Sequence, residues 1–180
     1  MINPENLIDR YYSGQYELEC ILLLHSIAVT RKALDIAEAH PEWDIDLRFL
    51  REAAMLHDIG IIYTDAPGIQ CHGTEPYIRH GLLGAELLRR EGLPAHARVA
   101  ERHTGTGLTR QDIEAQNLPL PLCDFTPETI EEKIICYADK FFSKTRLLEE
   151  KSVAQVVKSL QRFGQHSVDK FLEWNQTFEP

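Results

Sequence analysis

The chain has 180 residues, 43% of them hydrophobic and 26% charged, a balance that supports one well-packed core. It excludes a disordered tail, a collagen-like repeat and a disulfide-dense miniprotein. With 19 basic against 28 acidic side chains the formal net charge is -9, a surface that disfavours nucleic-acid polymers and anionic membranes as partners.

Helical periodicity dominates, and no convincing alternation marks a strand. Pro4 and Glu5 open a short helix with Leu7, Ile8, Tyr11 and Tyr12 on one face, and Ser13-Gly14 breaks it. A long helix is predicted from Tyr16 to Ala39, with Leu18, Ile21, Leu22, His25, Val29, Ala33 and Ile36 on its stripe and His40-Pro41 at its end. Asp44 or Asp46 caps the next helix, which carries Leu47, Leu50, Ala54 and His57 and is predicted to stop at Gly60. Gly60 to Tyr77 shows no period and contains Pro67, Gly68, Gly73 and Pro76, the composition of a functional lid. Helices are then predicted over 78–90, from Pro94 to His103, and over 109–116 after a turn at Gly105 and Gly107. Leu118 to Phe125 is extended, and Thr126-Pro127-Glu128 starts a helix running to about Ser143. Val153, Val156, Val157, Leu160 and Phe163 form a last apolar stripe, interrupted by Gly164 before Val168, Phe171 and Leu172. The expectation is one all-α domain over residues 1–180, a compact helical bundle with its core at 16–143 and helical additions at 1–15 and 144–180.

Cys20, Cys71, Cys123 and Cys136 form no CxxC pair and read as reduced thiols. The first residues lack the basic stretch and apolar core of a signal peptide. The longest apolar run, Cys20 to Leu24, is far short of the roughly 20 residues that span a bilayer. The expectation is a soluble, cytoplasmic protein.

His57-Asp58-Ile59-Gly60 carries the chemistry. A carboxylate at a helix C-terminus faces the negative end of the dipole, and apolar neighbours Met55, Leu56, Ile59, Ile61 and Ile62 add a desolvation cost. A cation at this point would offset both. His25, His80, His103 and Asp139 each stand among apolar residues on other helices. Singly, each reads as a hydrogen-bonded core residue. Five helices that each place an imidazole or carboxylate on an apolar face point instead to a shared metal site, and this donor set suits Fe, Mn, Co, Ni or Zn, with Mg possible.

His25, His57-Asp58, His80, His103 and Asp139, with stretches such as AAMLHDIG, HGLLGAELLRREGLP and AERHTGTGLT, resemble the HD superfamily of metal-dependent phosphohydrolases. Within it the chain looks most like small HDIG-type proteins, from about Leu18 to Ser143. The resemblance implies that His25, His57, Asp58 and Asp139 hold a first divalent ion. His80 and His103 would serve a second, and Asp58 would bridge the two as the central catalytic residue. It implies hydrolysis of a phosphoester or phosphoanhydride bond in a small phosphorylated metabolite or nucleotide by metal-activated water. A di-iron oxygenase and a non-catalytic nucleotide-binding module remain alternatives. Many relatives place Lys after the HDIG glycine, where this chain has Ile61, so a phosphate-binding cation must come from elsewhere. Candidates for substrate contact are Arg79, Arg110, Lys140 and Lys144, with His72 as a proton donor, Thr104 or Thr106 as touching substrate, and the Gly105 and Gly107 amides as a phosphate cradle. His40 and His96 read as surface residues.

Overall fold

The computed structural model describes residues 2–147 and 149–179. These residues form nine α-helices and one small sheet. α1 (Pro4–Tyr12) starts where the Asn3 side chain accepts the Asn6 N–H, and it buries Leu7, Ile8 and Tyr12. α2 (Tyr16–Ala39) is the longest element, and α3 (Leu47–Leu56) is capped by the Asp46 carboxylate, which accepts the Phe49 N–H at 2.9 Å. α4 (His80–Arg90) and α5 (Pro94–Arg102) pack on each other, and α6 (Arg110–Ala115) is a short turn capped by Thr109. α7 (Ile130–Asp139), α8 (Val153–Leu160) and α9 (Gln165–Phe178) complete the order. No helix among the described residues is long and apolar enough to cross a membrane.

Apolar residues collect in two main clusters. One joins α1, the first half of α2, the end of α3, and α4 with α5, through Ile8, Leu18, Leu22, Leu56, Leu87 and Leu88. The other joins the second half of α2 with α3, α7, α8 and α9, through Val29, Ala33, Leu50, Ile134, Val156 and Phe171. α2 runs through both, with Leu22 in the first and Val29 in the second. His25 lies between them, so the polar residues of the sequence motif sit at the seam of two apolar cores.

Four expectations are corrected. α3 ends at Leu56 rather than at Gly60; His57 caps it, and residues Ile59–Tyr63 tighten into a 3-10 turn. Gly60 is required there by close approach, because a Cβ would lie 2.2 Å from His80 O and 2.3 Å from Gly84 N. The segment read as an irregular lid folds into β1 (Thr64–Ala66), β2 (Cys71–His72) and β3 (Glu75–Pro76), in the order β2-β1-β3. β1 pairs antiparallel with β2 and parallel with β3, and strands of two or three residues are too short to show alternation. α7 starts after Thr129 rather than at Thr126, because the Thr129 hydroxyl and the Glu132 carboxylate cap each other's backbone N–H groups, and it ends at Asp139 rather than near Ser143. His96 and His40 are not surface residues. The packing of α5 on α3 brings His96 edge-on to Phe49, with Nε2 3.4 Å from a Glu52 carboxylate oxygen. His40 stacks on Trp43 with ring centroids 3.8 Å apart.

Candidate metal centre

Three consecutive local devices aim the histidines. His57 Nδ1 donates to Ala54 O at 2.6 Å, His80 Nδ1 to Tyr77 O at 2.7 Å and His103 Nδ1 to Ala100 O at 2.7 Å. Each partner is the carbonyl three residues earlier, near a helix end. A carbonyl only accepts, so Nδ1 carries the hydrogen and, in the neutral ring, Nε2 presents a lone pair. The ring of Tyr77 stacks on His80 with centroids 4.7 Å apart, which fixes that imidazole further.

The Nε2 atoms converge on Asp58, which is fully buried. Its Oδ2 lies 2.9 Å from His57 Nε2 and 3.1 Å from His25 Nε2, while its Oδ1 lies 3.3 Å from His80 Nε2 and 3.4 Å from His103 Nε2. Asp139 closes the first side, with Oδ1 3.0 Å from His25 Nε2 and 3.5 Å from His57 Nε2. Two sets of donor atoms lie within 4.8 Å of one another: His25, His57, Asp58 and Asp139, and Asp58, His80 and His103. The structure thus brings together all six residues singled out by the sequence pattern, with Asp58 common to both sets.

The donors fit a metal. Both Asp58 oxygens and His57 Nε2 are buried and lack an aligned hydrogen bond, despite their closeness. Burial drives His80 down to about 3, with Asp58 opposing, and burial likewise lowers His103. Both rings are therefore neutral, and their Nε2 lone pairs face each other at 3.0 Å. Lone pairs so placed repel unless a cation lies between them, and neutral imidazoles with carboxylates are the ordinary donors for a divalent transition metal. Burial alone would also lower His57, but Asp58 and Asp139 raise it to about 9. That point demands positive charge, which a proton or a metal ion supplies. The hydrogen bonds from Nδ1 to carbonyls are the supporting contacts that orient metal-binding histidines; His25 differs, its Nδ1 being buried without a partner.

Two lysines complete the electrostatics. Lys144 Nζ lies 2.5 Å from Asp58 Oδ2, and Lys140 Nζ lies 2.7 Å from Asp139 Oδ2. Burial would push Asp58 up, but Lys144 and His57 hold it well below the usual carboxylate range; Lys140 and His25 do the same for Asp139. Lys144 is correspondingly held above the ordinary lysine range by Asp58, against the pull of burial.

Beside the centre opens a cavity of about 700 Å³, lined among others by His80, His103, Thr104, Gly105, Lys140 and Lys144. The remaining candidates for substrate contact do not line it. His72 is exposed on β2, 3.4 Å from the Gln70 side chain. Arg79 is tied to Glu75 at 2.7 Å, Thr106 is buried, and Arg110 is exposed at the start of α6. Gly107 is closed in by Phe125, Thr126 and Pro127. Tyr77, Lys151, Arg162 and Phe163 line the cavity without having been singled out. Tyr77 closes the aperiodic segment 60–77 and Phe163 belongs to the last apolar stripe, while Lys151 and Arg162 flank a helix that carries no chemical motif.

The chain belongs to the HD domain family, whose model matches residues 22–143. That membership and the buried His/Asp cluster place it in a superfamily of metal-dependent hydrolases. It is 36% identical over 134 residues, 74% of its length, to a tRNA (cytidine(56)-2'-O)-methyltransferase of Picrophilus torridus. It is 32% identical over 160 residues, 88% of its length, to the protein of that name from Thermoplasma volcanium. A third relative, "Uncharacterized protein MJ0778" of Methanocaldococcus jannaschii, is 36% identical over 141 residues. The chain spans 35% and 40% of the two methyltransferases and 74% of the Methanocaldococcus protein. No solved structure matches it significantly.

Proposed function

We propose that this chain is a metal-dependent phosphohydrolase that cleaves a phosphoester or phosphoanhydride bond in a small phosphorylated metabolite or nucleotide. The observation that carries the reading is the buried Asp58 carboxylate shared by two converging donor sets, whose His80, His103 and Asp139 line the neighbouring cavity. His25, His57, Asp58 and Asp139 would hold one divalent ion and Asp58, His80 and His103 a second, drawn from Fe, Mn, Co, Ni, Zn or Mg. Such ions supply a nucleophile from bound water at neutral pH and polarise the phosphoryl group. The protein's own part is positioning and charge. Lys140 and Lys144, which line the cavity, neutralise phosphoryl oxygens, and Thr104 lies within reach of the same space. No side-chain nucleophile is required. The two relatives named as tRNA methyltransferases suggest an RNA substrate as a rival, but a net charge of -9 opposes a polymer and favours a small anion entering the cavity.

Asp58→Ala is the test. It removes the group common to both donor sets, so metal content after dialysis is expected to fall and turnover of p-nitrophenyl phosphate in Mn²⁺ to drop about a hundredfold, in line with loss of a metal ligand or its support. Unchanged metal content with unchanged turnover overturns the reading.

A further inference from the structure

We propose that the segment after the matched HD domain builds a second anion subsite, so that the substrate is a nucleotide-sized molecule carrying two phosphate groups. The inference rests on the phosphohydrolase reading and deepens it by naming the substrate class.

The cavity is far larger than one phosphate needs: about 700 Å³ lies in the range that holds drug-sized ligands. One wall is the metal centre, with His80, His103 and Asp139. Another comes from Lys151, Ser159, Leu160, Arg162 and Phe163, all beyond residue 143, where the family match ends. Four cationic side chains line the space: Lys140, Lys144, Lys151 and Arg162. The first two are matched by Asp139 and Asp58. Lys151 and Arg162 have no carboxylate within ion-pair distance among the described residues, although the chain carries 28 acidic side chains. Burial lowers Lys151, Asp139 opposes it, and Lys140, Arg162 and Lys144 add smaller lowering contributions, so three further cations stand near it in the same cavity. A second phosphate relieves that repulsion and leaves the first to Lys140, Lys144 and the centre.

The subsite is held in place by specific contacts. Lys151 N–H donates to Phe141 O at 2.8 Å and its Nζ to Lys140 O at 3.3 Å, which folds the connection from α7 back on itself. α8 then anchors through Val156 and Leu160. A single 3-10 turn over Gln161–Phe163 follows, stopped by Gly164 at φ +98, a left-handed region that favours glycine. Phe163 packs on Gly105, two residues after His103, at the spacing of a contact from a Gly105 Cβ, 3.4 Å. Arg162 lies over the Phe163 ring, 4.7 Å from its centroid. Phe142, Leu160 and Phe163 give the cavity apolar and aromatic walls suited to a ring.

The experiment compares AMP, ADP and adenosine 3',5'-bisphosphate by titration calorimetry on the full chain dialysed against EDTA, where no metal-dependent hydrolysis occurs, in wild type, in the double variant Lys151→Gln/Arg162→Gln and in Lys158→Gln. Lys158 is exposed on α8 and does not line the cavity. At least one of the two diphosphorylated compounds is expected to bind wild type about tenfold or more tighter than AMP, one added charge-assisted contact being enough for that factor. The preference is expected to collapse to within about twofold of unity in the double variant and to persist in Lys158→Gln. ADP and the 3',5'-bisphosphate distinguish adjacent from separated phosphates. No preference in wild type, or a preference that survives in the double variant, overturns the inference. Thermal midpoints establish that the variants are folded. Binding is read without turnover, so failure here is separable from failure of the Asp58→Ala test.

Discussion

Gly60→Ala tests whether the glycine after the His-Asp pair is demanded by packing. Its Cβ would stand 2.2 Å from His80 O and 2.3 Å from Gly84 N, whereas ordinary contacts begin near 3.4 Å. Relief requires a shift of about 1.2 Å between the 3-10 turn and the start of α4, and both obstacles are backbone atoms that no rotamer can withdraw. Overpacking of this kind costs about 1–3 kcal/mol and somewhat more when the backbone must move, so about 3 kcal/mol is expected. In a chain of this size that is a drop of roughly 6–12 °C in thermal midpoint. Gly84 is the internal comparison, because it faces the same contact from the other side. Its own Cβ would meet nothing closer than Gly60 N at 3.1 Å, and it sits inside α4. Alanine there recovers about 1 kcal/mol of helix propensity, so Gly84→Ala is expected to lie near neutrality. Urea denaturation of the two variants checks the order. A Gly60→Ala protein within about 0.5 kcal/mol of wild type, or no more destabilised than Gly84→Ala, refutes the close-approach argument.

The buried His96 gives a pH dependence. Burial lowers its pKa, with Glu52 opposing, so the unfolded chain takes up the proton first as pH falls below about 6.5 and stability declines there. His96→Gln is expected to lose less stability than wild type between pH 7.5 and 5.5, by up to about 1 kcal/mol in urea denaturation; equal losses contradict the assignment. The cysteines sort by exposure: Cys20 and Cys123 are exposed, Cys71 and Cys136 buried, and burial raises the Cys136 thiol to about 11. Ellman's reagent is expected to titrate two thiols in the native protein and the other two only after denaturation; a third fast thiol refutes the packing of one of the buried pair.

The site was more legible than the elements that build it, and the reason is chemical. A His or Asp on an apolar stripe is expensive unless it is partnered, so His25, His80, His103 and Asp139 stood out one by one, and all now meet at Asp58. Element boundaries carried no such cost. Thr126-Pro127-Glu128 and Thr129 through Glu132 both resemble helix starts, and only the reciprocal cap of Thr129 and Glu132 decides between them. The sheet escaped notice because three strands totalling seven residues cannot show a period. Among substrate-contact candidates, Lys140 and Lys144 follow Asp139 closely in the chain and share its surroundings. Arg79 and Arg110 adjoin functional segments in sequence but turn elsewhere, Arg79 to Glu75. Lys151, Arg162 and Phe163 reach the cavity through the return of the chain after α7, a tertiary event that no local pattern announces.

The charge distribution then constrains the substrate from two directions. An acidic exterior repels a polyanion over roughly a Debye length, about 8 Å at physiological ionic strength. The cavity itself is basic: four cations line it, two of them matched by the carboxylates of the centre. Under the proposed function, a long phosphate backbone would have to lie on the repelling surface to bring one phosphate to the centre. The proposed nucleotide-sized anion would pass that surface alone into a cavity lined by Lys151 and Arg162 as well as by His80 and His103. The same segregation explains why the cation missing at Ile61 need not be replaced nearby in sequence. Lys144, just beyond α7, lies 2.5 Å from Asp58 Oδ2, and a lysine beside the His-Asp pair would crowd a point that already holds Lys144 and the converging imidazoles. The positive charge that the motif lacks at Ile61 stands instead at Lys140, at the end of the matched domain, and at Lys144, Lys151 and Arg162 beyond it, all lining one cavity.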